Sequence, residues 1–308
     1  MPSAAGPRVL AILGATATGK TAIAVDVAQR VGGEIINADS RAFFRGLDIV
    51  TAKPTADEQA GIPHHLIDCV PIDGEYDAMS FRRDVEQLVP EIASRGRVPM
   101  LVGGGTLYLG AVLRGLFEGP AKDPKLRERL RGESLETLYE RLAQVDPLAA
   151  ETIHARDRQR IVRALEVFEK TGRPISALQA EARPLPFTSC IVGLSRQRDA
   201  HREAIAKRAE RMIVDGLLDE VSALRVQGLR QGMQAYRTIG IPEAVAVLDG
   251  DASPEGLAEV LANRTWALAR RQVAWFRRDS DVVWVDVTGR SAAEIGERIV
   301  ERWEERGT

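Results

Sequence analysis

Eight consecutive residues of this 308-residue chain, Gly14, Ala15, Thr16, Ala17, Thr18, Gly19, Lys20 and Thr21, match the spacing G-x-x-x-x-G-K-[ST] without a mismatch. The chemistry of that spacing is anion capture. The glycines let consecutive backbone N–H groups turn toward phosphate oxygens, and the start of a following helix adds positive potential. Lys20 brings a point charge to a terminal phosphate, and the Thr21 hydroxyl can ligate Mg²⁺. The pattern names a phosphate site without saying whose phosphates it holds. Asp39 is the second candidate, at the end of an apolar run that continues through Asn37 and Ala38 into Ser40 and Arg41. Three readings of it stay open: a Mg²⁺-holding carboxylate of an NTPase, a general base for an attacking group, or a cap on the next turn. The glycine turn after Val102 carries no Asp or Glu at its strand end, which makes Asp39 the catalytic candidate of the N-terminal half.

These residues need a scaffold that sets them side by side. Residues 8–13 are short, apolar and bounded by Pro7 and Gly14, which predicts a buried strand. Helical spacing of Ile23, Val27 and Val31 predicts a helix over 20–31, stopped by Gly32 and Gly33. A second apolar run ending at Asp39 completes a βαβ unit and hence a parallel sheet. A third strand is expected over 98–102, running through Gly103, Gly104 and Gly105 into a helix near Thr106. From 117 to 186 the chain turns rich in Arg, Glu and Leu, with Leu126, Leu130, Leu135, Leu138 and Leu142 at helical spacing and no strand-like run. A strand at 190–194, helices over 199–227 and 254–276, a strand at 282–287 and a C-terminal helix follow. The fold class expected is α/β, a P-loop-containing parallel-sheet core (1–116 and 190–308) with a helical insertion domain (117–189).

Composition excludes more than it names. The chain is 44% AVILMFWYC and 28% DEKR, an ordinary globular balance. Lys+Arg 42 against Asp+Glu 44 gives a net charge of −2, so no global positive field advertises nucleic acid. No apolar run approaches the ~20 residues of a membrane helix, and the N-terminus lacks signal-peptide features. Two cysteines, Cys69 and Cys190, make neither a disulfide framework nor a four-ligand zinc site. A soluble, reducing, cytoplasmic setting is the expectation. Local charge is less neutral than the total. Arg264, Arg270, Arg271, Arg277 and Arg278 lie in one stretch without an acid, and Arg156, Arg158, Arg160 and Arg163 surround only Asp157. Such clusters are the footprint of phosphate-backbone contact. The adjacent His64 and His65 read as a structural turn after Pro63, since no third metal ligand has suitable spacing.

Taken together, the motifs resemble the tRNA dimethylallyltransferases (tRNA isopentenyltransferases) over nearly the whole chain. The matching pieces are 14–21, ADSR at 38–41, RGLD at 45–48 with TAKP at 51–54, and PHHLID at 63–68. LVGG at 101–104 with LYL at 107–109, residues 157–166, RQ at 271–272 and WFR at 275–277 complete the set. The resemblance implies transfer of a dimethylallyl group from dimethylallyl diphosphate to N6 of adenosine 37 beside the tRNA anticodon. It makes the loop a diphosphate holder with Mg²⁺ as cofactor, and Asp39 the general base. Arg208 matches a recurrent family Arg that either reaches the pyrophosphate or forms a structural ion pair. The implied tRNA contacts are Asp39, Ser40, Arg41, Ala42, Gly105, Arg127, Gln159, Arg160, Ile161, Val162 and Arg163, placing tRNA on the helical insertion. The family's glycine turn carries a Thr where this chain has Gly105, so Thr106 is the candidate substitute in the reaction channel. Ala42 replaces a usual Gln, Trp266 a usual Arg, and Ile241 and Pro242 an aromatic–basic pair. A monomer without a membrane partner is expected. The rival readings are a P-loop kinase or ATPase, an isopentenyltransferase acting on free adenine nucleotide, and a non-catalytic RNA-binding module.

Overall fold

Apolar runs become the strands of one sheet in the computed structural model, which describes residues 6–305. The chain divides into two compact units, Met1–Leu109 with Pro186–Thr308, and Gly110–Leu185. In the first unit β1 (Arg8–Gly14) leads into α1 (Lys20–Val31) and β2 (Gly33–Asn37). Then come α2 (Ala56–Gln59), β3 (His64–His65), α3 (Ala78–Ser94), β4 (Val98–Gly103) and α4 (Thr106–Leu113). The second unit is helical: α5 (Pro124–Gly132), α6 (Leu135–Val145), α7 (Pro147–Thr152), α8 (Arg158–Thr171) and α9 (Ile175–Ala180). The first unit resumes with β5 (Thr188–Ser195), α10 (Arg198–Val214), α11 (Leu217–Val226) and α12 (Ile241–Leu248). It closes with α13 (Leu257–Phe276), β6 (Val283–Asp286) and α14 (Ala292–Glu305). Among the described residues no helix is long and apolar enough to cross a membrane.

The sheet has the order β3-β2-β4-β1-β5-β6, and every pairing is parallel. Register then decides where chemistry can sit. Leu13 lies opposite Gly103, Gly14 opposite Leu194, and Asn37 opposite Val102. The loops after β1, β2 and β4 therefore leave the sheet at one edge, the carboxyl end where open α/β sheets bind ligands. Behind them, α1 buries Ile23, Val25 and Val27 against strand residues Leu10, Ile12 and Val192. Ile295 and Ile299 of α14 join that core. Helix α14 approaches α1 closely at Gly296, where a Cβ would lie 1.9 Å from Asp26 Oδ2 and displace that side chain.

Two elements depart from the sequence expectation, and a third, α3, is not part of it. The helix expected over 199–227 is broken between α10 and α11, where Gly216 takes φ 100, a conformation side chains disfavour. His64 and His65 pair with Ile35 and Ile36 as a strand rather than forming a turn. Helix α3 carries a cap, with Asp77 accepting the Met79 and Ser80 N–H groups, and a buried face of Phe81, Val85, Val89 and Ile92. Its interior Pro90 works against helix, yet tertiary burial of that face prevails.

The helical unit, Gly110–Leu185, compares with the insertion expected over 117–189. Its core is Leu130, Leu138, Leu142, Ile161 and Leu165, and Asp123, Ser134, Asp146 and Asp157 each cap a helix. Two carboxylates are buried in it, Asp146 and Glu166. Glu166, fully inaccessible, takes two bonds from Arg127 at 2.8 and 2.7 Å, one from Arg163 at 2.6 Å and one from the Asp123 N–H at 2.8 Å. Burial pushes its pKa up, but Arg127, the Asp123 N–H and Arg163 more than reverse this and hold it at about 2, against an ordinary 4.5. A depressed carboxyl pKa stabilises the fold fully above pH 4.5, and the contribution is lost as pH falls toward 2. Glu166→Gln is expected to lower stability at pH 7 by about 3 kcal/mol, because two partly buried guanidinium groups keep their charge and lose the carboxylate that balances it. Urea unfolding at pH 7 and at pH 3 checks this: the gap between the two proteins narrows at the lower pH.

Candidate active site

The phosphate loop has the local geometry its sequence requires. Ala17 and Gly19 take positive φ, 61 and 85. Gly19 stands at the N-cap of α1 without a side-chain bond, leaving the helix start open to an anion. The loop is held from within by the buried Thr18 hydroxyl, which donates to the Ala15 carbonyl at 2.9 Å. Lys20 Nζ donates to the same carbonyl at 2.8 Å. Burial pushes the Lys20 pKa down to about 8, with Asp39 pulling it up and Arg208 pushing it further down.

Asp39 follows β2 and is set by Asn37, whose Oδ1 accepts the Asp39 N–H at 3.0 Å while its Nδ2 donates to the Leu66 carbonyl at 2.9 Å. Asp39 Oδ1 accepts the Arg41 N–H at 3.0 Å, so the carboxylate does cap its own turn. It also opens onto two cavities. The smaller, about 90 Å³, is lined by Lys20, Thr21, Lys53 and Asp39. The larger, about 530 Å³, is lined by Asp39, Ser40, Arg41, Gly104, Gly105, Thr106 and Tyr108, with Ile205, Met212 and Leu261 as apolar wall. Thr16, Asp39, Thr51 and Arg208 line both. Arg208 donates to the Thr51 carbonyl at 2.8 Å; burial lowers its pKa and Asp39 raises it. Burial likewise lowers Arg41, with Asp39 again opposing. Three cationic groups thus feel this one carboxylate. Lys53 is committed elsewhere, to Asp48 at 2.8 Å and Asp68 at 2.5 Å.

The glycine turn after β4 has a physical reason for its sequence. A Cβ at Gly105 would lie 2.5 Å from the Ala38 carbonyl oxygen, the atom that accepts the Gly105 N–H at 3.0 Å. That slot is closed to a side chain here, and the next residue, Thr106, opens α4 and lines the cavity.

The sequence-derived residues are partly brought together. Thr16, Lys20 and Thr21 of the loop, with Asp39, Ser40, Arg41, Gly105, Thr106 and Arg208, line the two adjoining cavities; Gly14, Ala15, Ala17, Thr18 and Gly19 line neither, and Ala42 lines the smaller. Arg127, Gln159, Arg160, Ile161, Val162 and Arg163 belong to the helical unit. There Ile161 and Val162 are buried in its core, and Arg127 and Arg163 are tied to Glu166. Arg160, 71% exposed, and Gln159 are presented to solvent. Trp266 packs: His201 meets it edge-on at 5.6 Å, with Ala15, Ile205 and Ala269 around it. His65 bonds Glu34 at 2.8 Å, and no group of three His, Cys, Asp or Glu suited to a metal occurs among the described residues.

Two further positions escape any reading of the loop alone. Gln272 Oε1 accepts the Thr16 N–H at 3.0 Å and its Nε2 donates to the Gly104 carbonyl at 2.7 Å, tying the phosphate loop to the glycine turn. His201 Nε2 lies 2.8 Å from the Thr16 carbonyl. Only Gln272 carried a sequence signal, through the RQ pair at 271–272.

A parallel sheet with the phosphate-loop motif at the carboxyl end of β1, and a carboxylate that lines both the cavity beside that loop and a wider one, defines a P-loop α/β protein. The IPP transferase family model matches residues 42–279. The chain is 40% identical over 289 residues to a tRNA dimethylallyltransferase of Geobacter metallireducens, covering 92% of this chain and 94% of that protein. It is 41% identical over 308 residues to one of Streptomyces griseus, covering 98% of each. Among solved structures, the full-length tRNA isopentenylpyrophosphate transferase of Bacillus halodurans has a TM-score of 0.72 at 34% identity, covering 98% of both chains. A eukaryotic dimethylallyltransferase acting on tRNA has a TM-score of 0.80 at 26% identity, covering 92% of this chain and 75% of that one. The chain belongs to the IPP transferase family.

Proposed function

We propose that this protein transfers the dimethylallyl group of dimethylallyl diphosphate to N6 of adenosine 37 in tRNA, releasing diphosphate. The observation that carries the reading is the shared wall of Thr16, Asp39, Thr51 and Arg208, which joins the phosphate-loop cavity to a cavity large enough for a purine. The loop N–H groups, Lys20 and Arg208 bind the diphosphate, and the apolar wall of the wider cavity receives the allyl chain. The allylic C–O bond breaks with its electron pair leaving on the diphosphate, whose growing charge the loop stabilises. The N6 lone pair forms the new N–C bond, and the proton that N6 then sheds passes to Asp39. Adenine must leave its stack to reach this point. Thr106 lines the same cavity, and Ser40, Arg41, Gln159 and Arg160 carry the polar groups for RNA contact.

The donor set fits Mg²⁺, a hard cation that keeps several waters and takes one or two protein oxygens beside substrate phosphates. The exposed Thr21 hydroxyl at the open start of α1 would hold it. When bound, Mg²⁺ neutralises charge on the departing diphosphate.

The test incubates the protein with Mg²⁺, labelled dimethylallyl diphosphate and A37-containing tRNA, with AMP in parallel. Label on the tRNA is the expected result. Label on AMP alone would make the protein a free-nucleotide isopentenyltransferase, and tight ATP turnover without prenyl transfer would make it a P-loop kinase or ATPase.

A further inference from the structure

The loop 47–53 walls both cavities, through Val50 and Thr51 on the larger and Thr51, Ala52 and Lys53 on the smaller. Its conformation needs outside support. Ala52 has φ 48, a left-handed conformation that is unfavourable for a residue with a Cβ. The support comes from helices far away in sequence. The N–H groups of Asp48, Ile49 and Val50 converge on the Glu220 carboxylate of α11 at 2.8, 2.6 and 2.9 Å. Consecutive N–H groups aimed at one point form an anion nest, and here the anion is a side chain. Bonds to an ionised acceptor are roughly twice as strong as neutral ones. Immediately beyond the nest, Arg208 of α10 holds the Thr51 carbonyl, and the Thr51 hydroxyl closes back on the Leu47 carbonyl. The loop is thus gripped by its donors from α11 and by its acceptor from α10.

We propose that Glu220 is a positioning residue for the diphosphate donor. By fixing 48–50 it sets where Thr51 meets Arg208, and so where the diphosphate lies relative to Asp39. Glu220 touches neither substrate. The inference rests on the transferase reading above, and its test separates the two.

Full-length wild type, Glu220→Gln and Glu220→Ala are compared by steady-state kinetics, varying each substrate in turn, well below the unfolding temperature of every variant. In Glu220→Ala the KM for dimethylallyl diphosphate is expected to rise about tenfold, with the KM for tRNA within about twofold of wild type. Glu220→Gln, which keeps one acceptor oxygen, falls between. Amide exchange at 48–50 quickens in the same order. Inorganic pyrophosphate binding by calorimetry serves as the independent arm. Failure of wild type to bind pyrophosphate would sink the transferase reading itself. Normal wild-type binding with equal binding and an unchanged donor KM in Glu220→Ala overturns the positioning role, as does a loss confined to the number of active molecules with both KM values unmoved.

Discussion

Asp39→Asn is expected to lower turnover by about 10³-fold, within the 10²–10⁴ range of a lost general base, while dimethylallyl diphosphate still binds. Asn is the informative substitution because its Oδ1 can go on accepting the Arg41 N–H, leaving the turn in place. The adenine amine is a poor nucleophile, its lone pair delocalised into the ring. As N6 bonds to carbon it becomes acidic, and a carboxylate within reach can take its proton. The base therefore matters late in the step and little for donor binding. Single-turnover kinetics with saturating donor and tRNA measures the loss, and calorimetry without tRNA measures donor affinity. A rate within tenfold of wild type would remove Asp39 from the chemistry and leave it as the cap that its bond to Arg41 already makes it.

How much of this was legible in the sequence follows from how far apart the partners lie. The phosphate loop was legible because eight adjacent residues supply its whole geometry, and Asp39 because a strand end is readable from an apolar run. The parallel sheet followed from the βαβ spacing. What holds these parts against one another was not legible, since Gln272 reaches Thr16 across 256 residues, His201 across 185, and Glu220 reaches 48–50 across about 170. No local period encodes such pairs. The arginine clusters show the opposite limit. Arg163 stands in one of them and Arg127 is an RNA contact by resemblance; a single buried Glu166, itself unremarkable within an amphipathic helix, ion-pairs both within the helical unit, a tie that no local spacing announces. Gly105 likewise reads as a lost threonine until the Ala38 carbonyl beside it is seen to forbid a side chain.

The Lys20 amine makes donor binding depend on pH in a direction that can be worked out. Free, its pKa is lowered to about 8, because burial outweighs the pull of Asp39. A bound diphosphate favours the charged form and raises that value, so binding takes up a proton wherever the free amine is neutral. Affinity is then full below pH 8 and falls toward tenfold per pH unit above it. The diphosphate itself, with a last ionisation near ~6, contributes no slope there. Calorimetry of dimethylallyl diphosphate from pH 7 to 9.5, in buffers of different ionisation enthalpy, reads both the slope and the proton. Lys20→Ala removes the slope, weakens binding at pH 7 by about 10- to 100-fold, and lowers turnover by about 10²–10³. Asp39→Asn acts differently on the same curve. It removes the charge that props Lys20 up, so the midpoint moves to lower pH while the slope remains. One variant that erases the slope and another that displaces it can arise together only if amine and carboxylate share a single anion site. A wild-type affinity that stays flat through pH 9.5 would place the Lys20 amine away from the diphosphate.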